Sequence, residues 1–271
     1  MIGARVALNK GDSGGALQAS RTMPYGMYIS AAGAHTQSQR LQILSNNLAN
    51  VDTPGFKREL AVFQARHAEA IQQGDEAPGS GNLDDIGGGV TLAETITDFS
   101  PGNLRKTDVP TDIAIDGDGF FLVEKDGQQL LTRAGNFHFS TDGRLQTEQG
   151  HSVLSTGGEP VVIDSTLPWR LLESGSFSQE GTLTPIALVR PQSHGDLVKA
   201  GQNLFSPLAE VFPVASGERR VQGGFLEQSS VEPAIEMMEL IETSRAYEAN
   251  VRMIQNHDHM IGALVNRVLG Q

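Results

Sequence analysis

The chain has 271 residues, a formal net charge of -12, 38% hydrophobic residues, 31 glycines and no cysteine. That is enough for one large domain or two modest ones, with many turns and a thin core. The acidic balance and the lack of any Lys/Arg cluster exclude a basic nucleic-acid footprint. Absent cysteine excludes disulfide frameworks and cysteine zinc sites.

Residues 1–22 read as a flexible leader, with Gly11, Gly14 and Gly15 and no periodic face. Its start, MIGARVALNKGDSGG, lacks the apolar stretch of a cleaved secretion signal. Met23 and Met27 stand just after it as alternative starts. No run in the chain approaches the ~20 apolar residues of a membrane span, so no membrane insertion is expected.

A helix is expected over 27–50, inside an N-terminal unit of 23–60. Leu41, Leu44, Leu48 and Val51 recur at three- and four-residue steps. The opposite surface is neutral and polar (Gln37, Ser38, Gln39, Gln42, Ser45, Asn46, Asn47), with Arg40 its only cation. A solvated helix usually mixes charges. A neutral face suits burial among identical neighbours, although an ordinary amphipathic helix would also carry it. Asn50 is placed to end the helix. Thr53-Pro54-Gly55-Phe56 then has the chemistry of a type II turn.

A Gly-rich linker is expected within 61–89, where Gly74, Pro78, Gly79, Gly81, Gly87, Gly88 and Gly89 cluster. Residues 90–225 read as a β domain. Ile113-Ala114-Ile115 leads into Gly117-Asp118-Gly119 and the strand Phe120-Phe121-Leu122-Val123. Asp126-Gly127 and Asp142-Gly143 are hairpin turns, and Val161–Ile163 and Ile186–Val189 are further short strands. Brief, unevenly spaced strands give no strand order.

Residues 226–271 carry a long C-terminal helix, with Ser229 and Ser230 as cap candidates and Pro233 in its first turn. Leu240, Tyr247, Ile254, Ile261 and Val268 form an unbroken column at seven-residue spacing. A second column, Met237, Ser244, Val251, Asp258 and Val265, is interrupted by polar residues. Two such columns are the pattern of a coiled-coil seam. Nearly forty helical residues span ~58 Å, more than a small β domain covers, so part of the stripe needs another helix or another subunit.

No chemical site emerges. His257 and His259 diverge by ~200° on a helix, so they cannot clamp one ion and read as part of a solvated face. Asp116-Gly117-Asp118-Gly119 lacks the later ligands of a calcium loop. Gly117-x-Gly119 lacks the third glycine of a dinucleotide site, and no Ser/His/Asp set has a nucleophile elbow. Neither a catalytic residue nor a cofactor nor a metal is expected. A secreted carbohydrate-active enzyme would need paired carboxylates in a cleft. An adhesin would explain β structure without catalysis; neither explains helices at both chain ends.

Four ordered stretches resemble the flagellar rod and hook proteins. They are Ser45-Asn46-Asn47-Leu48-Ala49-Asn50-Val51-Asp52-Thr53-Pro54-Gly55-Phe56-Lys57-Arg58; Asp112 to Phe121; Thr132-Arg133-Ala134-Gly135-Asn136-Phe137 with Asp142 to Leu145; and Gly224 to Val231 with Glu242 to Glu248. Ser230 stands where asparagine is usual. The resemblance covers about residues 27–268. It implies an α+β fold, with a central all-β domain and long terminal helices that pair as a coiled-coil-like inner layer. It implies a self-assembling subunit of the basal-body rod, partnered by copies of itself and other rod or hook proteins. Export through the flagellar type III apparatus is implied too, without a cleaved signal. Length and the short span from Phe63 to Val90 favour a proximal-rod type over a distal-rod type, with a hook protein less favoured. Leu41, Leu44, Leu48, Leu240, Tyr247, Val251, Ile254, Ile261 and Val268 are the expected assembly interface.

Overall fold

The computed structural model describes residues 25–67 and 87–269. The expected leader and most of the expected linker lie outside these residues.

Helix α1 spans Tyr25–Ala49 and helix α2 spans Pro233–Leu269. Pro233 opens α2, where its missing N–H costs nothing. The expected serine caps do not form. Ser230 Oγ instead accepts from Arg58 N at 3.0 Å, and Ser229 Oγ accepts from Val231 N at 3.3 Å. Ser230 is drawn away because the segment after α1 passes beside it and offers the Arg58 N–H, while Ser229 closes a local turn onto Val231 N.

Strands β1 (Glu59–Ala65) and β2 (Val90–Thr97) form a separate antiparallel hairpin against α1, with a register shift at Val62/Phe63. It takes in residues 61–65 of the stretch read as linker. Thr36 Oγ1 bonds to the Val90 carbonyl oxygen at 2.8 Å and ties the hairpin to α1.

The β domain is built on an antiparallel sheet of nine strands. Its path runs Leu197–Gly201, Leu204–Pro207, Gln128–Thr132, Phe120–Lys125, Ser152–Val153, Leu145–Thr147, Phe137–Phe139. Leu188–Pro191 joins by pairing with both Phe120–Lys125 and Val211–Pro213. Residues 120–125 are buried on both faces at their start, so the strand reads as an unbroken apolar run. One core holds Ile113, Phe121, Val123, Leu145, Val153, Phe177 and Ile186; the other holds Phe120, Leu122, Leu131 and Phe205. A three-stranded sheet, Trp169–Leu171, Ser176–Gln179 and Thr182–Pro185, packs Trp169 and Phe177 onto the first core. Asp126 and Gly127 have φ of 52 and 77, the two positive values a two-residue hairpin turn needs.

Candidate assembly interface

The two helices lie against each other in opposite directions. The seven-residue step up α1 from Gly26 to Gly33 meets the seven-residue step down α2 from His257 to Asn250. At one end, a Cβ built on Gly26 would stand 3.0 Å from the His257 ring. One heptad on, a Cβ on Gly33 would stand 2.9 Å from Asn250 Oδ1. Arg40 then pairs with Glu239 at 3.1 Å, and Asn47 Nδ2 bonds to Glu236 Oε2 at 3.4 Å. On this register Tyr25 stands opposite Asp258, and residues 259–269 of α2 run past the described start of α1.

The contact is polar where an apolar seam was expected. Glu236 and Thr243 are 2% and 1% exposed, and Asn250 and His257 are half-buried. Gln37 Oε1 and Thr243 Oγ1 are buried without a hydrogen-bond partner. Burial raises the Glu236 carboxyl above its ordinary value, although Asn47 and Arg58 favour its charged form. Arg58 lies 3.5 Å from it. His257 is therefore not on a solvated face; the bare backbone of Gly26 leaves room for its ring, while His259 is exposed.

The expected interface residues flank this ladder. Leu44 is buried; Leu41, Leu48, Leu240, Val251, Ile254 and Ile261 are half-buried; Tyr247 is exposed. The Val268 side chain lies outside the described residues. Beyond them, α2 leaves Met237, Met238, Ile241, Met253, Met260 and Leu264 exposed. Met238 and Ile241 are 67% and 53% exposed, so α2 presents apolar groups while it covers the polar Glu236 and Thr243.

At the root of the helices sits a cluster the sequence reading missed. Lys57, Glu227 and Arg133 are 1%, 2% and 5% exposed. Lys57 Nζ donates to Glu227 Oε1 at 2.6 Å and to the Ser100 carbonyl at 2.8 Å. Gly102 N donates to the same Oε1 at 2.9 Å. Arg133 reaches Glu227 Oε2 at 3.3 Å and the Gly117 carbonyl at 2.6 Å. Burial lowers both cations' pKa values, opposed by the Glu227 charge. The turn beside it has the expected chemistry: Gly55 has φ 64, and Phe56 N donates to the Thr53 carbonyl at 3.3 Å. Gly55 must be bare because a Cβ there would collide with the Arg133 backbone. The signal available in the sequence was that these three charges each sit inside one of the family-like motifs, next to an apolar residue: Phe56 before Lys57, Ala134 after Arg133 and Leu226 before Glu227.

A cleft of about 680 Å³ beside this root is lined by Asn46, Asn50, Asn136 and Asn203 together with Asp52, Glu59, Glu148 and Lys199. Among the described residues no group of His, Cys, Asp or Glu is arranged to hold a metal ion, and no helix is long and apolar enough to cross a membrane.

A β domain carried on a helix hairpin with a bare apolar flank is the build of an assembling structural subunit. Comparison with known proteins agrees. Three family profiles match: "Flagella basal body rod protein" over residues 27–57, "Flagellar hook protein FlgE/F/G D1 domain" over 114–184, and "Flagellar basal body rod FlgEFG protein C-terminal" over 222–267. The chain is 32% identical to the flagellar basal-body rod protein FlgF of Caulobacter vibrioides, over 91% of this chain and 98% of that one. It is 32% identical to the FlgG of Buchnera aphidicola subsp. Schizaphis graminum, over 88% and 97%. It is 29% identical to the FlgG of Bacillus subtilis, over 89% and 97%. The chain belongs to the flagellar basal-body rod protein family, a family of structural proteins.

Proposed function

We propose that this chain is a proximal-rod subunit that polymerises through its helix pair into a helical tube. The expected columns, Leu41, Leu44 and Leu48 on α1 with Leu240, Tyr247, Val251, Ile254, Ile261 and Val268 on α2, form the assembly interface as a coiled-coil-like inner layer. Its partners are further copies and other rod or hook proteins, and it reaches them through the flagellar type III apparatus without a cleaved signal.

The observation that carries this reading is the inversion of α2: Glu236 and Thr243 are buried while Met237, Met238 and Ile241 are exposed. Exposed apolar surface rimmed by polar groups marks an interaction face. The proximal position draws support from the chain length and from the Caulobacter relative named FlgF, which aligns over 98% of its length.

Substituting Ile254 by Asp tests the interface. A buried unpaired charge costs several kcal/mol, enough to abolish a weak contact repeated along a polymer. The variant is expected to be secreted and to keep the thermal transition of the β domain, yet to be missing from isolated rods. Normal incorporation would overturn the assignment. A tag on the wild-type chain, imaged in purified basal bodies, tests position: density at the membrane-proximal end supports the proximal reading, and density at the far end makes the chain a distal-rod subunit.

A further inference from the structure

Both helix roots and the β domain meet at one carboxylate. Residue 57 follows the turn after α1, residue 227 precedes α2, and Arg133 immediately follows the strand Gln128–Thr132. Around the carboxylate, Gly55 N donates to the Glu227 carbonyl at 2.8 Å, and Ser230 N donates to the Phe56 carbonyl at 3.0 Å. Away from this joint the helices lean mainly on each other and on the β1–β2 hairpin. The joint therefore decides how the helix stalk points.

Its chemistry is directional. Glu227 Oε1 is held by Lys57 and by Gly102 N; Glu227 Oε2 is held by Arg133. Each oxygen is thus committed to a different chain segment. Two buried cations share one buried anion, a poor way to gain net stability but an effective way to fix geometry.

We propose that Lys57, Glu227 and Arg133 form an orienting clasp. It sets the direction of the helix pair on the β domain by tying the segments before and after the helices to one carboxylate. These are positioning residues. Their use in a polymer rests on the subunit reading above, but the test is read on the isolated full-length chain, so the two can fail separately.

The chain has no cysteine, so two can be introduced for spin labels without a background. Gln128→Cys on the β domain and Ala249→Cys on α2 are both exposed positions. The labelled chain is expected to give one narrow distance peak by pulsed electron spin resonance. With Glu227→Gln that single peak is expected to be lost, because one accepting oxygen and the negative charge shared by both cations are gone. A second variant, Lys57→Met with Arg133→Met and Glu227→Met, removes every charge together. It is expected to melt cooperatively near the wild-type temperature, since apolar replacement of a buried ion cluster is tolerated, and still to lack the single peak. A peak retained in Glu227→Gln would overturn the clasp, as would a peak restored in the triple variant. If Glu227→Gln does not fold, the triple variant alone decides.

Discussion

The carboxamide of Asn250 fills the notch left by Gly33, with its Oδ1 2.9 Å from where a Cβ would be. Gly26 repeats the notch one heptad away for His257. A glycine inside a helix costs about 0.5–1 kcal/mol relative to alanine, so close approach of α2 offsets that cost. Substituting Gly33 by Leu should separate the helices locally and destabilise their contact by about 1–3 kcal/mol, as overpacking does. Adding Asn250→Ala to the same chain should recover part of the loss. Hydrogen exchange along α1 is the measurement, and additive losses in the double variant would argue against direct contact.

Gly135 and Gly127 should respond to alanine very differently. A Cβ on Gly135 would collide with the Ile113 carbonyl oxygen, and Ile113 N bonds back to the Gly135 carbonyl at 2.9 Å. Backbone cannot step aside as a side chain can, so Gly135→Ala should cost about 3 kcal/mol or more. Gly127 has φ 77 and open space around it. Its substitution should cost only the strain of the left-handed conformation, about 1–2 kcal/mol. Urea denaturation of the two variants gives the comparison.

Mild acid should tighten the helix pair at its root. Burial raises the Glu236 carboxyl above the ordinary 4.5. The folded state therefore binds this proton more readily than the unfolded state, and its contribution to stability is full below 4.5 and falls as pH rises through the raised value. Lowering the pH from 7 toward 5 should increase hydrogen-exchange protection around Asn47 and Glu236. With Glu236→Gln that local gain should vanish. Protection that falls on acidification in the wild type, and equally in the variant, would contradict the sign.

Several local features were legible because local chemistry alone decides them. Asp126-Gly127 turns the chain as its residue types require, and Pro54-Gly55 does so too. The strand order was not legible. Residues 120–125 divide their pairing among 128–132, 152–153 and 188–191, and short apolar strands carry no record of which neighbour they meet. On α2, the spacing from Leu240 to Ile261 showed that a stripe existed. It did not show that Glu236, Thr243, Asn250 and His257 are the side chains facing α1, because polar residues read as solvated until a partner's bare glycines are seen opposite. The pairing of Lys57 with Glu227 was not legible for a related reason: their partnership spans 170 positions.

The meeting of Phe56 and Ser230 at the helix root also says something about how such a chain can change. Everything between these two residues is one excursion from a helix hairpin, pinched shut at its neck. The entropic cost of closing a loop grows only with the logarithm of its length. Material can therefore be added or removed at open turns of the β domain, such as that of Gly127, without altering the neck or the spacing of the two helices. The stalk keeps its dimensions while the outer domain is free to take whatever size its surroundings require.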